Sequence, residues 1–161
     1  MARTEQEGNI TISVLDRLIE PQGSERAGSP SSHGQSLRQL KAALKRDLEW
    51  LLNTRRDPDS APEGVEELDR SLYNYGLPDI AGMHVRSTAD QNRLLRLIES
   101  AIAIFEPRIQ NPTVLLEPIA GSTHILRFHI QGLLRVDPAP EKITFDTILE
   151  LTSGKYEVQK E

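Results

Sequence analysis

The chain of 161 residues contains no cysteine, which excludes disulfides, thiolate metal sites and cysteine nucleophiles. It also lacks any apolar run approaching the roughly 20 residues that a membrane-spanning helix needs. Residues 1–8 lack the apolar segment of a signal peptide. These absences lead us to expect a cytoplasmic protein without direct membrane insertion.

The chain is also poor in aromatic residues and in positive charge. Aromatic residues make up 4% of the sequence, which leaves few flat surfaces on which sugars could stack. The formal net charge is −5, so a broad electrostatic interface with nucleic acid is not expected.

Motifs of known catalytic and cofactor-binding sites are missing as well. There is no Gly-x-Ser-x-Gly nucleophile motif, and no phosphate-cradling glycine pattern follows a strand. The four histidines show no metal-ligand spacing, and His124 and His129, five apart, would point to opposite faces of a strand. We therefore expect no metal, no cofactor and no catalytic residue.

Two regions of different composition follow one another along the chain. Residues 1–34 form an N-terminal arm and linker, in which 21–34 is rich in serine, glycine and proline and predicts flexibility. The arm carries a short apolar segment at 12–19, which either packs on the domain or binds a partner. Residues 35–161 are expected to form a single domain.

Apolar side chains at helical spacing predict two long helices. The first begins at the capping box Ser36-x-x-Gln39 and ends near Asn53, with leucines along one stripe. The second begins at Thr88-x-x-Gln91 and runs to Phe105. A third, short helix is predicted at 66–73.

After residue 113 the apolar period changes to two, which predicts strands. Segments 124–136 and 143–151 read as an antiparallel pair, with acidic side chains opposite basic ones on the outer face. A short strand at 114–116, ended by Pro118, and a last strand through Val158 complete a small sheet. Both are expected to be guarded edges. The predicted fold is α+β, with about three helices on one face of a small antiparallel sheet.

The tripeptide Glu106-Pro107-Arg108 places two opposite charges where the second long helix must stop. Pro107 disfavours the helical region for Glu106, whose carboxylate then faces the negative pole of the helix dipole. Arg108 either offsets that cost or serves, with Glu106, something outside the fold. One outside use is general-acid catalysis by Glu106 in a peptidoglycan-cleaving hydrolase, but no local motif marks the second carboxylate which that reaction needs.

Two further segments have both a structural and a functional interpretation. Trp50 lies off the leucine stripe, so it either flanks the core or is exposed for binding. Arg55 and Arg56 follow the first helix and are typical of a solvated charged surface. The segment Tyr75-Gly76-Leu77-Pro78-Asp79 is consistent with a loop that locks the helices together.

Three ordered motifs resemble the baseplate wedge family of contractile injection systems, also called lysozyme-like, which includes type VI secretion wedge subunits. They are Leu48-Glu49-Trp50-Leu51-Leu52-Asn53-Thr54-Arg55-Arg56, Tyr75-Gly76-Leu77-Pro78-Asp79 and Phe105-Glu106-Pro107-Arg108. The resemblance spans about residues 12–158 and includes the segment Ser13-Val14-Leu15-Asp16-Arg17-Leu18.

The resemblance implies a structural, non-enzymatic role in a baseplate at the inner face of the cell envelope. It implies contacts with the wedge subunits TssF, TssG and TssK, and strand pairing of the region 124–158 with the sheath subunits TssB and TssC. Its fold would be similar to the interlocking strand domain of the sheath. The residues assigned on this basis to partner contacts are Glu106, Pro107, Arg108, Trp50, Arg55, Arg56, Leu15 and Leu18.

Overall fold

The computed structural model describes residues 33–56, 66–80, 82–84, 87–117, 124–137 and 139–159. In chain order it contains helix α1 (His33–Asn53), helix α2 (Thr88–Phe105) and four strands. The strands are β1 (Ile109–Glu117), β2 (Ile125–Leu134), β3 (Glu141–Glu150) and β4 (Lys155–Gln159). Neither described helix is long and apolar enough to cross a membrane.

Helix α1 forms because its leucines recur every three or four residues and turn one stripe toward the core. Leu44 and Leu48 have no exposed surface, and Leu51 and Leu52 are 2% exposed. The helix begins at His33, three residues before the predicted Ser36, and so includes the last two residues of the predicted linker. It ends at Asn53 as predicted, where the Thr54 hydroxyl donates to the Trp50 carbonyl.

Helix α2 is capped one residue earlier than the sequence indicated. The side chain of Ser87, rather than Thr88, accepts a hydrogen bond from the Asp90 N–H, at 3.4 Å. The predicted Thr88-x-x-Gln91 box is therefore wrong in register, because the preceding serine satisfies the same first-turn donors. Leu94, Ile98, Ala101 and Ile102 bury one face of the helix.

The predicted antiparallel sheet is confirmed, and its strands lie in the order β1-β2-β3-β4. β1 and β4 are its two edges, as expected. Both helices and the inner face of the sheet contribute to one core. The apolar sheet residues buried there are Ile109, Val114, Phe128, Ile130, Leu134, Ile143, Phe145, Leu149, Tyr156 and Val158.

The predicted pairing of an acidic side chain with a basic one across β2 and β3 is present at one histidine–aspartate pair. His129 lies directly opposite Asp146, and its Nδ1 is 2.7 Å from the Asp146 carboxylate. On the other side of β2, Glu117 of β1 lies within 3.4 Å of Arg127 and 3.3 Å of His129. Polar side-chain contacts therefore connect β1, β2 and β3 on the outer face of the sheet.

The expectation of about three helices is wrong, because the described chain has two α-helices. The segment predicted as the third forms two short 3₁₀ turns, Glu66–Arg70 and Leu72–Asn74. The Ser71 side chain breaks the run between them by donating to the Leu68 carbonyl and accepting from the Tyr73 N–H. Leu72 is 85% exposed, so the segment also lacks the packed face that stabilises a short helix.

β1 is longer than the predicted strand at 114–116, because it begins at Ile109. Its first half contains a bulge, where the register shifts between Gln110 and Thr113 and Asn111 adopts a φ of 49°. A Cβ on Gly132, opposite the bulge, would lie 2.4 Å from an Ile109 methyl carbon. Glycine at 132 therefore permits this close approach.

Candidate functional site

Two of the three sequence motifs meet where the end of α2 approaches the second half of α1, and Asp47, one residue before the first motif, joins them. The site comprises Asp47, Tyr75, Phe105, Glu106 and Arg108, which we call the motif junction. The Tyr75 ring packs edge-to-face on Phe105, with their centroids 5.3 Å apart. Burial raises the pKa of the Tyr75 hydroxyl, and the negative charges of Asp47 and Glu106 raise it further.

At the centre of the motif junction, one guanidinium binds two carboxylates. Arg108 Nε donates to Glu106 Oε1 at 2.6 Å, and Arg108 Nη2 donates to Glu106 Oε2. The same Nη2 donates to Asp47 Oδ2 at 2.6 Å, across 61 residues of sequence. The hydrogen bond to Glu106 raises the pKa of Arg108 above its ordinary value, burial opposes that shift, and Asp47 adds to it.

The ion pair between Arg108 and Glu106 shows that Arg108 offsets the cost of placing the Glu106 carboxylate at the end of α2. Glu106 is the C-cap of α2 and only 5% exposed, and Arg108 neutralises its carboxylate at the negative pole of the helix dipole. Both charges are thus satisfied within the domain. Pro107, between them, is exposed.

A chain of alternating contacts runs from this buried pair to the surface. Asp47 Oδ1 also accepts hydrogen bonds from Arg46, at 3.1 Å from Nε and 3.0 Å from Nη2. Arg46 in turn lies over the Trp50 ring, with Cζ 5.1 Å from the centroid. Trp50 is 51% exposed, so the network ends in an aromatic surface.

The loop motif 75–79 locks onto the end of α1 through backbone hydrogen bonds. The Leu77 N–H donates to the Thr54 carbonyl at 2.9 Å, and the Arg56 N–H donates to the Leu77 carbonyl at 2.8 Å. Gly76 has a φ of 102°, and a Cβ there would lie 2.3 Å from the Thr54 oxygen, so this position requires glycine. The structural interpretation of this loop is confirmed.

Arg55 and Arg56, which follow α1, lie at the surface beside these backbone hydrogen bonds. Arg55 Nη1 is 3.2 Å from Asp79 Oδ1, but both side chains are more than 60% exposed. Such a pair contributes little to stability. Arg56 is exposed as well. The predicted contact residues Leu15 and Leu18 lie outside the described residues.

The motif junction contains a second carboxylate that the sequence did not single out. Nothing local in the sequence marks Asp47, because its partner Arg108 comes close only in the folded chain. Arg108 Nη2 lies between the two carboxylates and donates to both. Both Glu106 oxygens accept hydrogen bonds from the Arg108 guanidinium.

The described residues also show no group of three or more histidine, aspartate or glutamate side chains that could hold a metal ion. A small groove, which no residue of the motif junction lines, lies between the end of α1, the 75–79 loop and the start of β4. Its lining includes Leu52, Arg55, Asp79 and Tyr156. The site therefore combines ion pairs that are satisfied within the domain with an exposed tryptophan at the surface.

The sequence model of a family described as baseplate wedge protein gp25 matches residues 38–139. A solved chain from the baseplate complex of the type VI secretion system is 18% identical, with a TM-score of 0.48. That alignment covers 68% of this chain and 93% of the solved one. Among curated proteins, none matches.

Proposed function

Because the chain belongs to the baseplate wedge protein gp25 family, we propose that it is a structural subunit of a type VI secretion baseplate, in the position of TssE. In this role it links the wedge complex to the contractile sheath and supports sheath assembly. The subunit is assembled in the cytoplasm at the inner face of the cell envelope. It acts by binding and positioning, without catalysis.

The observation that carries the proposal is that the charged groups of the motif junction are paired with one another inside the domain. An active-site acid must be able to contact its substrate, whereas Glu106 is buried and bound by Arg108 on both oxygens. A rigid assembly joint needs the opposite arrangement, with charges satisfied inside and distinct side chains displayed outside. The motif junction has this arrangement.

The wedge subunits TssF, TssG and TssK are the proposed partners of the surface around the motif junction. Trp50 is the anchor of this surface, because it is half-exposed and Arg46 holds its ring from one side. Tryptophan and arginine dominate the energetics of many protein interfaces. Pro107, Arg55 and Arg56 complete the contact surface, while Glu106 and Arg108 support it from inside.

Two further contacts belong to the proposal. The apolar segment 12–19, with Leu15 and Leu18, is assigned to the wedge as an additional arm. The sheath subunits TssB and TssC are assigned to the β-sheet, where an extended segment can be added by backbone pairing.

The wedge surface can be tested with the full chain carrying Trp50→Ala. We expect the affinity for the co-expressed wedge subunits to fall about tenfold or more, because an aromatic anchor is removed from the interface. The unfolding temperature should stay within about 2 °C of the wild type, since Trp50 is half-exposed. Capture on immobilised wedge subunits measures the first quantity, and circular dichroism measures the second.

Ile104→Ala is the matched control, because Ile104 is 44% exposed on α2 and has no place in the proposed surface. It should bind like the wild type. If Trp50→Ala and Ile104→Ala both bind like the wild type, Trp50 is not a wedge contact. Equal losses in the two variants would mean that the assay responds to any exposed apolar truncation.

A further inference from the structure

Both carboxylates of helix α1 are used inside the domain. Asp47 accepts hydrogen bonds from Arg108 and Arg46. Glu49 Oε1 accepts a hydrogen bond from the backbone N–H of Val158 in β4, at 3.1 Å. α1 contains no other acidic residue. Each carboxylate of this helix therefore has a partner within the domain.

The basic residues of α1 are only partly paired. Two of its four lysines and arginines contact acidic side chains of the domain, as Lys41 does with Glu141 at 2.8 Å. The other two, Arg38 and Lys45, form no ion pair within the described ranges of the chain. Arg38 is exposed and Lys45 is half-buried. The surface of α1 is thus locally positive, although the whole chain has a formal net charge of −5.

The positive charges lie beside the exposed tryptophan. One row of the helix surface, in which residues follow at intervals of four, consists of Arg38, Ala42, Arg46 and Trp50. We call these four residues the α1 row. It spans about 18 Å along the helix axis. Lys45, three residues after Ala42, flanks it. Trp50, 51% exposed, ends it.

Helix α2 has unpaired arginines of its own but no exposed aromatic residue beside them. Its two carboxylates, Asp90 and Glu99, accept hydrogen bonds from backbone N–H groups at 2.9 Å and 2.8 Å. Arg93 and Arg96 are exposed and lie in the first half of the helix, whereas the motif junction is at its end. Only α1 combines unpaired positive charge with an exposed tryptophan.

We propose that the α1 row, with Lys45, binds an acidic segment of a wedge subunit. The inference rests on the proposed function and adds the chemistry of the partner. Carboxylates of the segment pair with Arg38 and Lys45, and an apolar side chain of the same segment packs on the exposed part of the Trp50 ring. A nucleic acid is a poorer match, because the net negative charge of the chain repels a phosphate backbone.

Two matched double substitutions test the charge of the partner. Arg38→Glu with Lys45→Glu reverses the charge beside the α1 row, and Arg93→Glu with Arg96→Glu makes the same change in net charge on α2. Each full-length variant is passed over the immobilised complex of TssF, TssG and TssK, and surface plasmon resonance measures the association rate. Circular dichroism confirms beforehand that each variant is folded.

The expected effect is local and depends on salt. At about 0.1 M salt, the α1 variant should associate about tenfold more slowly than the wild type, and the α2 variant should stay within about twofold. At about 1 M salt, where the Debye length falls to about 3 Å, the difference between the α1 variant and the wild type should shrink to about twofold or less. Arg38→Gln with Lys45→Gln should lie between the wild type and the charge reversal.

The other outcomes overturn the inference in distinguishable ways. Equal slowing of the α1 and α2 variants would mean that net charge, rather than the α1 row, governs association. An equal loss at both salt concentrations would contradict pairing with an acidic segment. If Trp50→Ala weakens binding but the α1 charge reversal does not, the wedge contact stands and the acidic occupant is wrong. Binding of a labelled oligonucleotide that the α1 variant loses would make nucleic acid the occupant. If the wild type does not bind the complex, the proposed function fails and the inference fails with it.

Discussion

Replacing Arg108 by methionine should lower the free energy of unfolding by about 3 to 5 kcal/mol. The substitution removes the one cation that Glu106 and Asp47 share and leaves the buried Glu106 carboxylate without its partner. Urea unfolding, followed by circular dichroism and by the fluorescence of Trp50, the only tryptophan, measures the change.

Two further arginine substitutions show whether geometry or charge matters. Arg108→Lys keeps the charge but cannot make the paired hydrogen bonds of a guanidinium, so it should recover only part of the loss. Arg55→Met removes an arginine from the exposed pair with Asp79 and should cost less than about 1 kcal/mol. If Arg108→Met is as stable as Arg55→Met, the motif junction does not hold the domain together.

The second large effect is expected at Gly76. Gly76→Ala should lower the free energy of unfolding by about 2 to 3 kcal/mol, because an alanine is strained at a φ of 102°. Its Cβ would also meet the Thr54 carbonyl oxygen at 2.3 Å, which is a backbone atom that cannot rotate away. The hydrogen bond between Leu77 and Thr54 must then lengthen. Chemical denaturation measures the loss.

Gly82→Ala is the control for Gly76→Ala. A Cβ at residue 82 would meet no atom within 4 Å, so the free energy of unfolding should change by less than about 0.5 kcal/mol. Equal stability of the two variants would mean that the 75–79 loop can shift away from α1 at no cost. In that case the contact between the loop and α1 does not stabilise the domain.

The sequence predicted the long elements because their apolar periodicity is strong and local. The leucine stripe of α1 and the alternation around Phe128 and Phe145 each fix which face is buried, and the structure buries those faces. The cross-strand contacts of His129 and Asp146 were predictable for the same reason. They follow from the register of two strands joined by a short loop.

The errors in the predicted fold have local causes that periodicity does not capture. The segment 66–73 has helical composition, but Ser71 bonds to neighbouring backbone groups and breaks the ladder. The start of β1 contains Asn111 and Pro112, which are typical of a loop, and here they form a bulge inside a strand. Propensity alone cannot distinguish a bulge from a loop.

The candidate site was predictable only in part. The Glu-Pro-Arg motif was recognisable, and so was the possibility that Arg108 offsets the charge of Glu106. The role of Asp47 was not, because a contact across 61 residues depends on how α1 packs against the end of α2. The caps that Glu49 and Glu99 place over backbone groups were hidden for the same reason.

Under the proposed function, the buried charges of the motif junction support the surface on which the exposed Trp50 contacts the wedge subunits. The motif junction connects α1, the end of α2 and the 75–79 loop. A substitution of Arg108 should therefore lower both the free energy of unfolding and the affinity for the wedge subunits. A change at Trp50 should disturb assembly alone. This separation distinguishes a structural joint from an active site.

The most direct test of a structural role in the baseplate is co-purification of the full chain with the wedge subunits expressed beside it. We expect a stable complex in which the tagged chain retains TssF, TssG and TssK through size-exclusion chromatography. We expect Trp50→Ala to retain less of the wedge subunits, in line with an affinity lowered about tenfold or more, although that variant remains folded. Elution of the wild-type chain alone, while the other wedge subunits assemble without it, would contradict the proposed function.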